Sequence, residues 1–297
     1  MPIDPRQISH LLAVAEHGSF TRAASAQGIS QPGLSNSIGQ LERRLRVKVL
    51  KRSKRGSTLT NYGEILVRRA REVQALLKQA EDEVRLQVLG VEGPLSIGAT
   101  PSVIPKWLPD SLNLLVSAGG PMDVSIIEGS HDALLPLLLS GQLDVVVGPV
   151  LGASSKEVIE QAIVDDPYFL AVGPKSSVAR RKHVKLEELR DAPWVLPRPG
   201  TAYSRQIEAI FLNANIPWPR DCFTSNSLSL VREIVCMSNR VSIMSRLRLI
   251  GTGDGHLRGI PLDIASSRPL GYKVLRNAKL SSLAERFLIA LRRTAPL

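Results

Sequence analysis

The sequence predicts an α+β protein with three parts: a small helical N-terminal domain, one long helix and a C-terminal α/β domain. Two short helical patterns flank Gly28 and are followed by a basic run that ends at residue 55. Residues 64–89 contain no Pro or Gly, which favours one continuous helix. From Leu95 onward, strand and helix patterns alternate, as they do in α/β domains. The chain has 297 residues, enough for about two domains of ~150 residues.

The first two helices have the pattern of a helix-turn-helix. Ser19 is a favourable N-cap for a helix over residues 20–27, and Gly28 provides the turn that ends it. Ser30 caps the second helix and Pro32 fits its first turn. The apolar residues of the second helix recur at spacings of 4, 3 and 4 and predict a buried face: Leu34, Ile38, Leu41 and Leu45. The residues predicted to contact DNA bases or phosphates from this helix are Gln31, Pro32, Ser35, Asn36 and Arg43.

The basic run follows the second helix directly. Residues 43–55 hold eight Lys or Arg and no acidic residue, and Val47, Val49 and Leu50 interrupt the charges. This mixture favours a short hairpin over a disordered tail. An isolated basic run is usually a solvated surface, but its position after a helix-turn-helix favours a wing that contacts the DNA backbone. The phosphate-contacting residues predicted in the wing are Arg52, Lys54 and Arg55.

The charge of the whole chain agrees with a DNA-binding module at its N-terminus. The net charge is +11, and residues 1–90, with 15 basic and 8 acidic side chains, carry +7 of it. A basic surface of this kind is typical of proteins that bind nucleic acid. A role at a membrane surface is the alternative explanation of basic charge, but no basic amphipathic helix with exposed aromatic residues is present in the sequence.

Several short matches then identify a family. They occur in order between Leu11 and Glu64: Gly18-Ser19-Phe20, Ala23-Ala24, Ser30-Gln31-Pro32, Ser35, Leu41-Glu42, Arg52, Leu59-Thr60 and Gly63. This stretch resembles the N-terminal winged helix-turn-helix of LysR-type transcriptional regulators. The resemblance implies a ligand-responsive transcription factor that binds double-stranded DNA at a two-half-site operator. It also implies a homodimer, and a homotetramer built from two dimers.

The stretch departs from the family pattern at three places. Gly33 replaces the usual Ala, and Val49-Leu50 replaces the usual Leu-Phe; both are changes of packing. Asn36 stands where a longer basic or polar residue is common, so it can change which bases are read. The operator sequence therefore does not follow from the resemblance.

The long helix is predicted to join two subunits. We expect residues 1–60 to form the winged helix-turn-helix and residues 61–90 to form this linker helix. Its apolar residues follow the a/d repeat of a coiled coil, whereas its other faces are charged: Leu66, Ala70, Val73, Leu77, Ala80 and Val84. A narrow apolar stripe requires a partner, which is either a second subunit or the protein's own second domain. A two-fold operator requires a dimer, so homodimerisation is favoured.

Residues 91–297 are predicted to form an effector-binding domain of two α/β lobes, which by the family resemblance is similar to periplasmic binding proteins. Lobe I is expected to include about residues 91–164 and 270–297, and lobe II about residues 165–269. The predicted strands are 95–99, 123–127, 144–147, 168–172, 194–196, 221–224, 241–244 and 269–275. The predicted helices are 103–116, 132–139, 203–213, 228–237 and 280–293.

Effector binding is expected where strands end and helices begin. Thr100 and Ser102 follow the first strand and can hold the carboxylate or phosphate of a small anionic metabolite at a helix N-terminus. Thr201 and Asn226 occupy similar turns in lobe II and are expected on the opposite side of the ligand. Each of these residues could instead serve only as an N-cap. Arg240 is either a partner of a ligand carboxylate or half of an ion pair, and the ion pair is favoured.

Other functional classes find little support. The sequence has no HExxH, GxSxG or Walker A motif, its five His are scattered, and Cys222 and Cys236 have no metal-ligand spacing. No catalytic residue, metal or cofactor is therefore expected. The alternatives are a cytoplasmic small-molecule-binding protein and an enzyme without a recognisable motif. The N-terminus lacks the apolar core of a signal peptide, and residues 133–150 are too short and interrupted to span a bilayer, so we expect a cytoplasmic location.

Overall fold

The computed structural model describes residues 3–53, 56–117, 119–152, 155–250, 257–263 and 267–296. The chain divides into two compact units. The N-terminal unit comprises residues 1–82 with 140–142, and the C-terminal unit comprises residues 83–139 and 143–297. Both the helix-turn-helix and the α/β domain predicted from the sequence are present, so the predicted fold class is confirmed.

The N-terminal unit contains three short helices, a two-stranded hairpin and most of a long helix. Its elements are α1 (Pro5–His17), α2 (Phe20–Ala26), α3 (Gln31–Leu45), β1 (Leu50–Ser53), β2 (Gly56–Leu59) and α4 (Asn61–Val88). The side chain of Asp4 caps α1 and that of Ser30 caps α3. The buried side chains that hold these elements together include Leu11, Val14, Ala23, Leu34, Ile38, Leu41 and Val49. Their burial fixes α3 against α1 and α2 through its apolar face.

The predicted wing is shorter than the basic run that suggested it. Strands β1 and β2 pair antiparallel from Leu50 opposite Leu59 to Ser53 opposite Gly56. Arg43 and Arg44 belong to the last turn of α3, where basic side chains interact favourably with the helix dipole. The expectation that the whole run over residues 43–55 forms a hairpin was therefore wrong at its N-terminal end. Lys54 and Arg55, predicted as phosphate contacts, lie outside the described residues.

Gly63 is required by the close approach of α4 to the wing. A Cβ atom on residue 63 would lie 2.1 Å from the carbonyl oxygen of Val49. The hydroxyl of Thr60 donates to the carbonyl of Lys48 (2.6 Å) and accepts from the Gly63 N–H (3.1 Å). These contacts anchor the start of α4 beside the first strand of the wing, and they involve Thr60 and Gly63 of the matched pattern.

The C-terminal unit contains nine strands and six α-helices among its described residues. The strands are β3 (Glu92–Ala99), β4 (Met122–Glu128), β5 (Val145–Pro149), β6 (Val158–Val172), β7 (Trp194–Leu196), β8 (Cys222–Thr224), β9 (Val241–Ser245), β10 (Arg258–Pro261) and β11 (Ser267–Leu275). The helices are α5 (Trp107–Val116), α6 (His131–Leu139), α7 (Ala202–Asn213), α8 (Leu228–Met237), α9 (Arg246–Leu249) and α10 (Ser282–Arg293). A 3-10 turn covers Leu186–Leu189.

One long strand links two sheet halves. The strand order is β4-β3-β5-β11-β6-β9-β7-β8, with β10 also paired to β6. Within each half the βα units give parallel pairs, β3 with β4 and β5, and β7 with β8 and β9, whereas β6, β10 and β11 are antiparallel to their neighbours. The first part of β6 pairs with β11 and its last residues pair with β9. Each half has its own core, one around Trp107 and Phe287 and the other around Trp194 and Phe211.

One helix begins later than predicted, and this changes the expected ligand site. The predicted helix over residues 103–116 starts only at Trp107, and residues 101–106 form turns. Pro105 explains the shift, because a proline disfavours helical backbone at the preceding residue and has no N–H to donate. Thr100 and Ser102 therefore do not lie at the N-terminus of α5, whose N-cap residue is Lys106.

Candidate functional site

Helix α3 presents a polar face opposite its buried one. Ser30 accepts a hydrogen bond from the Gly33 N–H (3.2 Å) and so fixes the first turn. Gln31, Pro32 and Asn36 are exposed on this turn and the next, and Arg43 is exposed near the end of the helix. Ser35 is half-buried. The structure therefore brings most of the predicted base-contacting residues to the surface of one helix, where they can reach a DNA groove.

A buried carboxylate holds the wing against this helix. Glu42 is 7% exposed, and one of its carboxylate oxygens accepts from the Val49 N–H (3.1 Å) and the Leu50 N–H (3.4 Å). The other oxygen accepts from Lys48 Nζ at 2.7 Å. The Ser57 N–H also donates to the carbonyl of Gly18, at 3.0 Å. Sequence reasoning used Glu42 only as part of a pattern and missed its role, although an acidic residue on the apolar side of a helix was a usable signal.

The wing strands carry the remaining predicted phosphate contact. Arg52 lies on β1 opposite Ser57, and Lys51 before it is exposed. Basic residues of the hairpin and the end of α3 therefore belong to one small domain, as a wing and its recognition helix must.

Helix α4 leaves part of its apolar stripe exposed. Val73, Leu77 and Val84 are 56%, 63% and 65% exposed. Ala70 is buried and Leu66 is partly buried in the core of the N-terminal unit, so the first two members of the predicted stripe pack within their own domain. Ala80 is exposed. The part of the stripe that a partner helix could cover therefore begins at Val73.

The C-terminal unit contains a cavity of about 420 Å³ at the carboxyl ends of its strands. Such ends are where open α/β sheets bind ligands. The cavity residues that precede β6 in the chain include Thr100, Glu128, Ser130, His131, Pro149 and Leu151. Those that follow β6 include Leu196, Pro197, Thr201, Tyr203, Gln206, Asn226, Val231, Met244, Arg248 and Arg268.

Three of the four predicted effector residues line this cavity. They are Thr100, Thr201 and Asn226. Thr201 is also the N-cap of α7, since its hydroxyl accepts from the Ser204 N–H (3.0 Å). The side-chain oxygen of Asn226 accepts from the Arg198 N–H (3.0 Å). Ser102 does not line the cavity: it is 1% exposed, and its hydroxyl lies 3.1 Å from that of Thr100, so it supports the cavity wall from behind.

Arg240 forms the ion pair that the sequence favoured. Its guanidinium lies 2.8 Å from the Asp221 carboxylate and donates to the carbonyl of Trp194 (3.1 Å). It also lies over the ring of Phe223. The side chain therefore stabilises the region around β7 and β8 and is not among the cavity residues.

Two other arginines, missed by sequence reasoning, do line the cavity. Arg268 is buried and donates twice to one oxygen of Asp166, from Nε (3.2 Å) and from a terminal nitrogen (3.1 Å). It donates as well to the hydroxyl of Ser245 (2.9 Å). Arg248 packs its guanidinium over the ring of Tyr203, 3.7 Å from the ring centre. Burial lowers the pKa of Arg248, and the nearby charge of Arg268 acts in the same direction.

His131 contributes an imidazole to the wall of the cavity. It begins α6 and is half-buried. Burial lowers its pKa, and the positive charge of Lys273 lowers it further, whereas Asp132 and Glu160 oppose the shift. The imidazole is therefore mostly neutral at pH 7 and can either donate or accept a hydrogen bond.

The described part of the chain gives no support to a metal site or a membrane-spanning helix. No cluster of three or more His, Cys, Asp or Glu could hold a metal ion there. Cys222 and Cys236 are both free thiols. None of the helices in the described ranges is long and apolar enough to cross a membrane.

Family comparison agrees with this arrangement. Residues 5–64 match the model of the bacterial regulatory helix-turn-helix protein, lysR family. Residues 90–296 match that of the LysR substrate binding domain. The chain therefore belongs to the LysR family of DNA-binding transcriptional regulators.

Individual relatives and solved structures point the same way. The hydrogen peroxide-inducible genes activator of Dickeya chrysanthemi is 30% identical over 242 residues, which cover 82% of this chain and 79% of the relative. The DNA-binding transcriptional dual regulator OxyR of Escherichia coli (strain K12) has the same identity and coverage. Full-length CbnR, solved in complex with its target DNA, superposes with a TM-score of 0.69 at 23% identity, covering 98% of this chain and 100% of that one. At that identity the likeness establishes the fold.

Proposed function

We propose that this regulator binds a two-half-site operator as a homodimer and responds to a small anionic effector held in the cavity of its C-terminal unit. The observation that carries the proposal is that one chain combines an exposed polar recognition helix with a cavity lined by hydroxyls and guanidinium groups. A solute-binding protein or an enzyme would need the cavity but not the helix-turn-helix.

The DNA-binding role rests on α3 and the wing. Gln31, Pro32, Ser35 and Asn36 are proposed to contact base edges, and Arg43 is proposed to contact a base or a phosphate. Arg52, Lys54 and Arg55 are proposed to contact phosphates. The exposure of most of the α3 residues supports this assignment, and so does the rigid attachment of the wing through Glu42.

Dimerisation is proposed to use α4 from Val73 onward. The exposed Val73, Leu77, Ala80 and Val84 continue the a/d spacing over more than two turns of helix. A second α4 would cover these side chains, and it would place two recognition helices on the two half-sites. Two such dimers would form the homotetramer that the family resemblance implies.

The effector is proposed to bind at Thr100, Thr201 and Asn226. An effector can change transcription only by binding one arrangement of the assembly more tightly than another, and a cavity with walls from both lobes permits such a preference. Ser102 is proposed to orient the Thr100 hydroxyl and not to touch the ligand.

Peroxide sensing by a thiol, which the names of some relatives suggest, has little chemical support here. A redox-sensing cysteine should be accessible and carry thiolate character at neutral pH. Burial raises the pKa of Cys222, which disfavours its thiolate. We therefore favour a reversibly bound metabolite over oxidation of Cys222 as the signal.

Two measurements test the proposal. Genome-wide mapping of bound sites should find two-half-site sequences, and neighbouring genes would suggest the metabolite. Gel-shift titration with such a fragment should show tight, salt-dependent binding. A chain that binds no genomic fragment above its affinity for random DNA would contradict the proposed regulatory role and leave a small-molecule-binding protein as the explanation.

A further inference from the structure

The two arginines that line the cavity differ in whether a carboxylate pairs with them. Arg268 is matched by Asp166, which lies beside it with a fully buried side chain. Arg248 has no carboxylate within 4.0 Å among the described residues, and its Nε–H is buried without a hydrogen-bond acceptor. Guanidinium groups in protein interiors are normally paired, because an uncompensated buried charge is costly. The guanidinium of Arg248 is thus left without a direct carboxylate partner in the described part of the chain, although the carboxylate of Glu128 lines the same cavity.

The helix that carries Arg248 is fixed at both ends. At its start, the second oxygen of Asp166 accepts from the Leu247 N–H (2.9 Å). At its end, Arg232 donates to the carbonyls of Arg248 (2.6 Å) and Leu249 (2.7 Å). The same aspartate thus neutralises Arg268 and anchors α9. A rigidly held guanidinium loses little conformational freedom when a ligand binds, which favours affinity.

Tyr203 determines the orientation of the guanidinium. Its hydroxyl donates to the carbonyl of Ile243 (2.9 Å), and its ring lies beneath Arg248. The ring therefore covers one face of the guanidinium group, which lines the cavity. The planar, two-point hydrogen bonding of a guanidinium suits a carboxylate.

Apolar side chains surround much of the remaining cavity. They include Leu151, Leu196, Leu228, Val231 and Met244. A volume of about 420 Å³ is within the range of small-molecule sites. A ligand that fills it would therefore present an apolar body to these residues and a single anionic group to Arg248.

We propose that the effector is a small carboxylic acid with one negative charge and an apolar body, and that Arg248 pairs with its carboxylate. The inference rests on the proposed function, since it assumes that this cavity is the effector site. It adds the chemical class of the ligand and the residue that recognises it. A phosphorylated ligand fits less well, because a dianion would meet one unmatched cation and the carboxylate of Glu128 in the same cavity.

Matched acids and amides test the charge of the ligand. Benzoate and hexanoate at millimolar concentration, with benzamide, hexanamide and inorganic phosphate beside them, would be titrated into the full chain by calorimetry and thermal shift. At least one acid should bind and raise the melting temperature, and its amide should not. Binding of phosphate alone, equal binding of acid and amide, or binding by no member of the panel would overturn the proposal.

Two cavity variants then locate the carboxylate. Arg248→Gln should weaken binding of the acid roughly tenfold to hundredfold, as expected for the loss of a charge-assisted pair. Glu128→Gln removes the opposite charge from the same cavity and should leave binding unchanged or strengthen it. If Glu128→Gln weakened binding as much as Arg248→Gln, the ligand would be held by its cationic or polar groups and the assignment of Arg248 would be wrong.

The free protein provides a test that needs no ligand. Since Arg248 lacks a carboxylate partner, Arg248→Met should leave the melting temperature of the unliganded chain unchanged or raise it. Arg246→Gln, on the same helix but outside the cavity, controls for a general loss of positive charge. A marked fall in melting temperature for Arg248→Met alone would assign Arg248 a structural role. Gel-shift binding by these variants separates the two proposals, because it depends on the N-terminal unit and should persist if only the Arg248 proposal fails.

Discussion

Asn36 is the residue at which this chain and the family pattern differ in a way that can matter for base reading. It is exposed on α3, one turn into the helix, so its side chain is not needed for packing. An amide can make two hydrogen bonds to the edge of adenine. Its shorter reach, compared with the longer residues common at this position, favours a contact made directly beneath the helix.

Replacing this amide should change specificity more than stability. For Asn36→Ala we expect a loss of about 1–3 kcal/mol at the preferred operator, with relaxed preference at one base position and an unchanged melting temperature. Arg52→Ala is the matched control: as the proposed phosphate contact on β1 it should weaken all sites alike and lower the salt slope by about one unit. Gel shifts on a randomised operator library measure both. Unchanged preference in Asn36→Ala would show that another face reads the DNA.

His131 gives the C-terminal unit a predictable response to pH. Burial lowers the pKa of His131 in the folded chain below the ordinary value of about 6.5. At a pH between these two values, the unfolded chain binds more protons than the folded chain does. The free energy of unfolding should therefore fall as the pH drops below about 6.5. The groups that bear on this imidazole are Lys273, Asp132, Glu160 and Arg205.

His131→Asn should remove that part of the pH dependence. The difference in slope between the two proteins cannot exceed about 1.4 kcal/mol per pH unit, the value for one proton. Denaturant unfolding from pH 5 to 8, followed by a signal from the C-terminal unit, gives the slopes. If the variant lost stability on acidification as steeply as the natural chain, other groups would be responsible.

At the scale of the elements, the wing depends on a side chain of the neighbouring helix. The N–H groups of Val49, just before β1, and Leu50, its first residue, donate to the buried carboxylate of Glu42. Glu42→Ala would leave these donors unsatisfied at a cost of about 1–3 kcal/mol. We expect a lower melting temperature, faster hydrogen exchange over residues 47–59 and weaker DNA binding.

Lys48→Ala separates the hydrogen bonds from the ion pair on the same carboxylate. The Lys48 side chain is 78% exposed, so its pair with Glu42 should contribute no more than about 1 kcal/mol. A loss in Lys48→Ala as large as that in Glu42→Ala would mean that charge, and not the backbone donors, holds the wing.

Secondary structure was predictable where a local pattern determined it. The spacing of Leu34, Ile38 and Leu41 and the cap at Ser30 were sufficient for α3. The start of α5 was predicted too early, because its apolar periodicity runs back through Pro105 although proline disfavours helical backbone at the residue before it. Strand β6 was predicted only over its last five residues, since its first part carries polar and charged residues at several positions.

At the scale of the whole molecule, the position of the cavity could be predicted from the sequence, but the charged residues that line it could not. The rule that ligands bind at strand ends located Thr100, Thr201 and Asn226. Arg248 follows β9 and Arg268 lies at the start of β11, and both are apart from those three residues in sequence. Only the folded chain shows that Arg268 pairs with Asp166 and that the Nε–H of Arg248 has no hydrogen-bond acceptor. The same holds for Ser102, whose burial behind Thr100 depends on the turns before α5.

Pairing of two subunits is proposed to be necessary for regulation, and substitutions on α4 can test it. Leu77 is 63% exposed and lies near the middle of the uncovered stripe. Leu77→Asp would bury a carboxylate without a partner in a two-helix seam, at a cost of several kcal/mol. Because the Leu77 side chain is mostly exposed, it contributes little to the stability of the isolated subunit, and the variant subunit should fold nearly normally.

We therefore expect Leu77→Asp to produce subunits that no longer pair through α4, with a correspondingly lower mass by light scattering. Affinity for a two-half-site operator should fall steeply, and affinity for a single half-site should change little, since each recognition helix remains intact. Lys78→Asp is the control, because it places the same charge on the next, outward-facing residue of the helix. An unchanged mass for Leu77→Asp would mean that the subunits associate through another surface, and the exposed stripe would then need a different partner.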